Sequence, residues 1–274
     1  EIMPSLVGSE MCIRDRVKMV EIKKILHNKI HYYEQLDSTN LKALELAKQG
    51  AVEGTIVIAA RQTAGRGRMR RKWESPEGKG LWFSMILRPT IAAEYCAQIT
   101  LLTAVAAVKA LQVLTNKKFS IKWPNDIMLD GKKVCGILAE MALADDGDIE
   151  YAVVGIGINI NMSSEDFGAQ LEATATSLYL ATGITYEREQ VLKAFLDEFN
   201  LLYSHWHCCG FALIRQDWLD YSCTLGHKVT VKDNDTEIYS GMAEDMDDYG
   251  SLLVRNAAGE IESFDFGEIS IRSC

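Results

Sequence analysis

The sequence lacks the features of a membrane or secreted protein. No apolar run approaches the roughly 18–20 residues that a bilayer span needs. The first residues do not show the basic segment and following apolar stretch of a signal peptide. Hydrophobic residues make up 48% and charged residues 24% of the 274 positions, which are ordinary values for a globular protein. The composition therefore predicts a cytoplasmic protein without a membrane partner.

Positive charge is also scarce. Lys and Arg number 29 against 38 Asp and Glu, which gives a net charge of -9. Affinity for a phosphate backbone depends on cationic side chains that neutralise it. We therefore expect no nucleic-acid partner for the chain as a whole, and a DNA-binding role would need a local basic module.

The seven cysteines form no Cys-x-x-Cys pair. His205 and His207 precede Cys208 and Cys209, which raises the alternative of a metal cluster. Adjacent cysteines rarely share one tetrahedral ion, so reduced thiols are the preferred interpretation.

The length predicts one large domain followed by a small one. Residues 1–18 show no periodicity, and we expect them to be a non-native or disordered leader. A catalytic domain is expected over residues 19–222 and a small C-terminal domain over residues 223–274. Within the first domain, strand and helix patterns mix without strict alternation, which favours an α+β fold with a mixed sheet.

Local patterns predict several elements. Ser38 or Thr39 is expected to cap a helix that ends near Gly50. Residues 55–60 and 81–87 read as strands, and Asp130-Gly131 is a strong signal for a two-residue hairpin turn. Further segments are also predicted: helices at 94–115 and 187–206, strands at 119–123 and 149–160, and five short strands after Cys223, which together indicate a small β-barrel.

The most informative segment is residues 61–73, called the flap below. It contains six cationic side chains, two glycines and no acid. Glycine lets the backbone approach a ligand closely, and arginine offers forked donors for phosphate or carboxylate. The flap therefore predicts an anion-binding loop, although a charge run of this kind is often only a solvated surface loop.

Three other motifs are ambiguous when read alone. Asn125 and Asp126 follow a proline at a strand end, where a polar pair makes a local turn or holds Mg²⁺-ATP. A single lysine after a turn, such as Lys133, is usually a surface residue. Gly155-x-Gly157 is not a dinucleotide fingerprint, because Ile160 occupies the third glycine position and no helix pattern follows.

Taken together, these motifs resemble those of the biotin-protein ligase family. The resemblance covers roughly residues 32–272 and several motifs in the family's order. One departure is Arg70, where the family often has glycine, so the ordering of the flap is expected to differ. The residues that carry the resemblance are Ser38-Thr39-Asn40, Gln62, Gly65-Arg66-Gly67-Arg68, Arg71-Lys72-Trp73, Lys122 to Asp126, Lys133 to Glu140, Gly155 to Asn159 and Gly267 to Arg272.

The resemblance implies a fold and a reaction. It implies a class II synthetase-like catalytic domain followed by an SH3-like barrel, in a monomer or homodimer. The implied reaction uses ATP and Mg²⁺ to form biotinyl-5'-AMP from biotin. The biotinyl group then passes to a lysine of a biotin carboxyl carrier protein or domain.

The resemblance also assigns residues. Lys133, Arg66, Arg68 and Asp126 are expected to be catalytic, with Asp126 also near Mg²⁺ and assisting deprotonation of the acceptor lysine. Ser38, Thr39 and Gln62 resemble contacts to the ureido ring, and Trp73 is expected to stack on adenine or to join the core. The expected ligand-binding residues are Ser38, Thr39, Asn40, Gln62, Gly65, Arg66, Arg68, Arg71, Trp73, Asn125, Lys133, Gly136 and Asn159.

The motifs leave three alternatives open. The first is a lipoate-protein ligase-type enzyme of the same superfamily. The second is a biotin-sensing transcriptional regulator, which is disfavoured because only about 37 residues precede Ser38. The third is a non-catalytic biotin-binding module, in which Lys133, Asn125 and Asp126 would have no task.

Overall fold

The computed structural model describes residues 29–145, 147–233, 236–265 and 269–273. The expected leader at 1–18 and the start of the terminal Gly267 motif lie outside these residues. The larger sheet has seven strands in the spatial order β1-β2-β3-β7-β6-β5-β4. These strands are β1 (Ile30–Leu36), β2 (Ile56–Gln62), β3 (Gly80–Leu87), β4 (Ser120–Lys122), β5 (Asp126–Leu129), β6 (Lys132–Leu143) and β7 (Ile149–Asn159).

In the described part of the chain, six helices accompany this sheet, together with short 3-10 turns at Arg68–Arg70 and Ala93–Tyr95. The helices are α1 (Thr39–Lys48), α2 (Ala97–Thr115), α3 (Ser164–Leu171), α4 (Leu178–Thr182), α5 (Arg188–Cys209) and α6 (Ala212–Tyr221).

The sheet is mixed, as predicted. Strands β1 and β2 are parallel, and the other neighbouring pairs are antiparallel. The predicted turn is confirmed, because Asp130 (φ 49°) and Gly131 (φ 76°) both have positive φ values between β5 and β6. Positive φ at both central residues matches the twist of the flanking strands.

Two layers of helix cover the sheet. Helix α1 packs Ala43 and Ala47 on one face, against Val57, Ile86 and Val153. The other face packs against α2, which is buried along most of its length, and against α5. The segment Ala93–Thr115 is long and apolar enough to cross a membrane, contrary to the reading of the sequence alone, but 72% of its apolar window is buried inside the protein. It is the central core helix of the fold.

The C-terminal strands form a second, five-stranded antiparallel sheet, which confirms the expected small β-barrel. Trp123 Nε1 donates to Gly250 O, and Gln98 Nε2 donates to Asp248 O at 2.6 Å, so hydrogen bonds join this barrel to the catalytic domain. The predicted boundary at residues 222 and 223 lies between α6 and the first barrel strand and stays a prediction. The barrel strands are β8 (Lys228–Asp233), β9 (Thr236–Met246), β10 (Leu252–Arg255), β11 (Ile261–Phe264) and β12 (Ile269–Ser273).

Several elements were not predicted from the sequence. Strand β1 and helices α3, α4 and α6 lack clear periodicity, and β1 leaves Ile30 and Tyr32 half exposed at the sheet edge. The predicted helix at 94–115 begins three residues later, after a 3-10 turn. At the end of α5, the ligand atoms of His205, Cys208 and Cys209 lie within 4.8 Å of one another. The five described cysteines are free.

Candidate active site

A cleft of about 480 Å³ opens on the α1 face of the sheet. Strand side chains alternate between faces, and on this face the paired strands β6 and β7 place Gly136 opposite Gly157. Gly155 lies on the same face beside Ser84 of β3. The glycines give the cleft a floor of bare backbone, which leaves room for a ligand or for a large side chain.

One end of the cleft is neutral and tightly hydrogen-bonded. Gln62 Oε1 accepts from Thr39 N at 2.8 Å and from Thr39 Oγ1 at 3.1 Å. Gln62 Nε2 donates to Ser75 Oγ at 2.8 Å. The Ser84 hydroxyl lies 2.8 Å from Thr39 Oγ1 and 2.6 Å from Asn40 Oδ1. Ser38 is the N-cap residue of α1, but its side chain makes no cap hydrogen bond.

The flap forms a narrow hairpin over the cleft. Trp73 N donates to Gly65 O at 2.9 Å, and Gly67 N donates to Arg71 O at 2.7 Å. At its tip, Met69 and Arg70 adopt positive φ values of 54° and 58°. Only glycine adopts this conformation freely. Arg70 departs from the family pattern, and its backbone conformation is therefore energetically less favourable than it would be for glycine.

The other end of the cleft is charged. Lys133 Nζ lies 2.5 Å from Asp126 Oδ1, and these residues stand on the two arms of the hairpin formed by β5 and β6. Arg68 Nη1 donates to Asn125 Oδ1 at 3.3 Å. Asn125 is itself fixed by donation from its Nδ2 to Ile137 O at 2.7 Å. Burial lowers the pKa of Arg68, although a guanidinium keeps its charge at neutral pH.

Trp73 lies between the two ends. Its ring covers the glycine floor so closely that a Cβ at Gly157 would lie 2.5 Å from Trp73 Nε1. Lys133 Nζ lies 5.1 Å from the centre of the ring, within cation–π range. The rings of Trp73 and Trp82 are nearly perpendicular, with their centres 6.3 Å apart. Trp73 Nε1 is buried and has no hydrogen-bond partner among the described residues.

The structure brings nearly all of the expected site residues together. Each of them lines the cleft except Gly65, which is buried and packs so closely that an added Cβ would lie 2.4 Å from Trp73 O. Asn159, at the end of β7, donates from Nδ2 to Thr176 O. The cleft also receives Met162 and Phe167, which no local motif indicated.

Two polar residues near the cleft were missed. Ser84 is fully buried within an apolar strand. A single serine in an otherwise apolar run is the sequence feature that could have indicated a role for it. Glu140 ends the third motif, yet no role was assigned to it. Its carboxylate accepts from Asn40 at 2.9 Å and from Arg66 at 3.0 Å.

Cys135, between Lys133 and Gly136, is not a reactive thiol. It is fully buried, and burial raises its pKa to about 12. The thiolate is the nucleophilic form of cysteine. Cys135 therefore packs in the core of β6, and the chemistry of the cleft depends on its cations, amides and carboxylates.

The model of the biotin/lipoate A/B protein ligase family matches residues 32–159, and that of the biotin protein ligase C-terminal domain matches residues 224–272. The chain belongs to the biotin-protein ligase family, and it is an enzyme of this ligase class.

Relatives and a solved structure support this assignment. The bifunctional ligase/repressor BirA of Bacillus spizizenii is 40% identical over 236 residues, which cover 86% of this chain and 72% of the relative. The biotin-[acetyl-CoA-carboxylase] ligase of Paracoccus denitrificans is 36% identical over 81% of this chain and 92% of the relative. The biotin protein ligase of Aquifex aeolicus, solved with biotin and ATP, is 30% identical with a TM-score of 0.77. The match covers 89% of this chain and 99% of the Aquifex aeolicus chain.

Proposed function

We propose that this enzyme joins biotin to ATP as biotinyl-5'-AMP, with release of pyrophosphate. In a second step, a lysine amine of a biotin carboxyl carrier domain attacks the biotinyl carbonyl carbon, and AMP leaves. The observation that carries the proposal is the single cleft in which a neutral, hydrogen-bonded end meets a cationic end. The Aquifex aeolicus relative binds biotin and ATP, and we extend both substrates to this chain.

The neutral end suits the ureido ring of biotin. Such a ring needs a few fixed donors and acceptors within an otherwise apolar pocket. Thr39 and Gln62 supply hydroxyl and amide groups that their mutual bonds already orient. Ser38 and Asn40 lie beside them and are almost completely buried. We assign these four residues to this end of the substrate.

The cationic end suits the reacting anions. The biotin carboxylate attacks the α-phosphorus of ATP, so no enzyme nucleophile is needed. Two anions repel as they approach, and a positive charge between them stabilises the transition state more than either separate complex. Lys133 stands at the junction beside Trp73 and Gly136, and we assign it this role. Arg66, Arg68 and Arg71 would hold the adenylate from the flap.

Asp126 and Asn125 suit a magnesium ion that arrives with the nucleotide. Mg²⁺ in nucleotide sites is bound by one or two carboxylates together with phosphate oxygens. Asp126 offers one partly exposed carboxylate, which Lys133 contacts. A bound Mg²⁺ would neutralise phosphate charge. Asp126 also lies where it would assist deprotonation of the incoming lysine, whose ordinary pKa of about 10.4 keeps it protonated at neutral pH.

The remaining assignments extend this proposal. Asn159 and Gly136 are assigned to the nucleotide, and Trp73 is assigned to adenine once the substrates occupy the cleft. We also propose a cytoplasmic enzyme, monomeric or homodimeric, that does not bind DNA. Retention of a biotin operator fragment at about 150 mM salt would contradict the last point, because nonspecific DNA affinity depends strongly on salt.

Pyrophosphate exchange tests the first step. Labelled pyrophosphate should enter ATP when biotin is supplied and not when lipoate replaces it. The second step is tested with a purified biotin carboxyl carrier domain, whose mass should increase by one biotinyl group. The same domain with its acceptor lysine changed to arginine is the matched control. Exchange with lipoate in place of biotin would contradict the proposed substrate.

A further inference from the structure

Glu140 connects two parts of the cleft that are far apart in the sequence. Its Oε2 atom accepts from Asn40 Nδ2 at 2.9 Å, across 100 positions of sequence. Its carboxylate also accepts from the Arg66 guanidinium, with Oε1 at 3.0 Å from Nη2 and Oε2 at 3.3 Å from Nη1. Asn40 belongs to α1, Arg66 to the flap and Glu140 to β6. One side chain therefore joins three elements.

The connection continues from Asn40 into the neutral end. Asn40 Oδ1 lies 2.6 Å from the Ser84 hydroxyl, which lies 2.8 Å from Thr39 Oγ1. Thr39 in turn bonds Gln62. The Asn40 amide lies directly against the backbone of Gly155, because a Cβ at this glycine would lie 1.9 Å from Asn40 Oδ1. A continuous and largely buried series of hydrogen bonds runs from Gln62 to Glu140.

The Arg66 end of this series is much less enclosed. The Arg66 side chain is 40% exposed, whereas that of Glu140 is 25% exposed. Arg66 also shares the flap with several other cations, which repel it. A carboxylate at Glu140 offsets this repulsion and draws the guanidinium towards α1. Hydrogen bonds between ionised groups are roughly twice as strong as neutral ones, so the charge of Glu140 matters for this contact.

We propose that Glu140 is a positioning residue that couples the Thr39 and Gln62 end of the cleft to the flap through Arg66. This inference rests on the proposed function, in which the neutral end holds biotin and the flap holds the nucleotide. A ligand bound against Thr39, Gln62 and Asn40 removes the freedom of movement that this series still has, and with it that of the Glu140 carboxylate at its end. The fixed carboxylate then holds Arg66 in place for the second ligand. Glu140 touches no reacting atom and acts through Arg66.

The test measures the coupling between the two ligands. Biotin affinity is determined by calorimetry without nucleotide and with an ATP analogue whose α,β-bridging oxygen is replaced by a methylene group. In the wild type, we expect the analogue to tighten biotin binding by roughly 10- to 100-fold, within the usual range for coupled sites. In Glu140→Gln, we expect this ratio to fall below about threefold, since the neutral amide still accepts from Asn40 but attracts Arg66 weakly.

A double-mutant cycle tests the route through Arg66. If Glu140 acts through this residue, Glu140→Gln should not change the coupling ratio further in an Arg66→Ala background. An equal fold-loss in both backgrounds would overturn the proposal. So would a wild-type ratio of one, or a Glu140→Gln variant with the wild-type ratio. A wild type that binds no biotin and exchanges no pyrophosphate would instead contradict the proposed function.

Two further variants separate positioning from general stability. Glu244→Gln removes the charge from a comparable pair with Arg255 (2.7 Å) on the C-terminal sheet, and it should leave the coupling ratio unchanged. Glu140→Ala removes the contacts to both Asn40 and Arg66, and thermal melting shows whether the variant still folds. If it does not fold, the isosteric Glu140→Gln variant carries the test alone. A merely structural role would lower the melting temperature and leave the ratio intact.

Discussion

The two ends of the cleft are built on different physical principles. At the neutral end, Thr39, Asn40 and Ser84 are almost completely buried and bond one another. At the cationic end, Lys133 and Asp126 form an ion pair whose side chains are 29% and 28% exposed. A buried polar group that loses its hydrogen-bond partner destabilises the fold, so such groups keep their partners. A partly exposed ion pair stabilises the fold by only about 1 kcal/mol or less.

Because of this difference, the neutral end is rigid, whereas the ionic contacts of the cationic end are easily exchanged for others. A buried network limits the arrangements that its groups can adopt before the ligand arrives, which reduces the entropic cost of binding. A weak, partly solvated ion pair is easily replaced by a stronger partner, such as a phosphate. The neutral end is therefore suited to recognition of an uncharged ring, and the cationic end to the rearrangement of charge that a reaction requires. Substitutions at each end of the cleft and in the flap test this contrast.

The largest effect is expected at the cationic end, from Lys133→Ala. Biotin-dependent pyrophosphate exchange should fall by about 10² to 10³, as when one charge-stabilising donor is removed from a transition state. Biotin affinity should change by no more than a few fold, because the neutral end remains intact. The matched control is Lys132→Ala, whose ammonium bonds Glu172 O away from the cleft. Exchange near the wild-type rate in Lys133→Ala would exclude this role.

Arg68→Ala should act on retention of the adenylate. Arg68 contacts Asn125 beneath the flap. Hydrogen bonds from its guanidinium to the adenylate would contribute about 1.5–3 kcal/mol to binding, and their loss corresponds to roughly 10- to 100-fold faster release of the adenylate. Release is followed by chasing bound, labelled biotinyl-5'-AMP with unlabelled substrates. Arg70→Ala, which changes an exposed arginine in the same flap, is the control. Equal release rates in the two variants would show that general flap charge, not the position of Arg68, holds the adenylate.

At the neutral end, Ser84→Ala should mainly affect stability. Its hydroxyl serves both Thr39 and Asn40, and leaving buried partners unsatisfied costs about 1–3 kcal/mol in the free energy of unfolding. Urea denaturation measures this loss. Ser204→Ala is a matched control, since the Ser204 hydroxyl oxygen is buried without a hydrogen-bond partner among the described residues. Equal destabilisation by both substitutions would mean that the Ser84 network contributes nothing specific.

The smallest effect is expected at the flap tip. Arg70→Gly should be more stable than Arg70→Ala by about 1 kcal/mol, because glycine adopts the positive φ of this position without the cost that a side chain brings. Both substitutions remove the same charge, so the comparison isolates the backbone. Denaturation in urea again provides the measurement. If the alanine variant is equally stable, the flap tip adopts another conformation in solution.

Much of the fold could be predicted from local patterns. The turn at Asp130 and Gly131 was predictable because few residue pairs accept positive φ at both positions. Strand β1 was not, because its sequence lacks alternation and its edge position leaves Ile30 and Tyr32 exposed. Nearly all the expected site residues meet in one cleft, but Ser84 and Glu140 were missed. Their partners are distant in the sequence, and no local spacing indicates such contacts.

The sequence alone determined which chemical groups are available: a cationic, glycine-rich flap, a lysine after a tight turn and a polar pair after a proline. Only the tertiary structure decided which partner each group meets. Arg66 contacts Glu140, Arg68 contacts Asn125, and Lys133 contacts Asp126. Hydrogen bonds and ion pairs act only over a few ångströms. The pairing of β5, β6 and β7 brings some of these partners together, and the flap, which folds back over these strands, brings the others. That arrangement depends on nonlocal packing of the whole sheet.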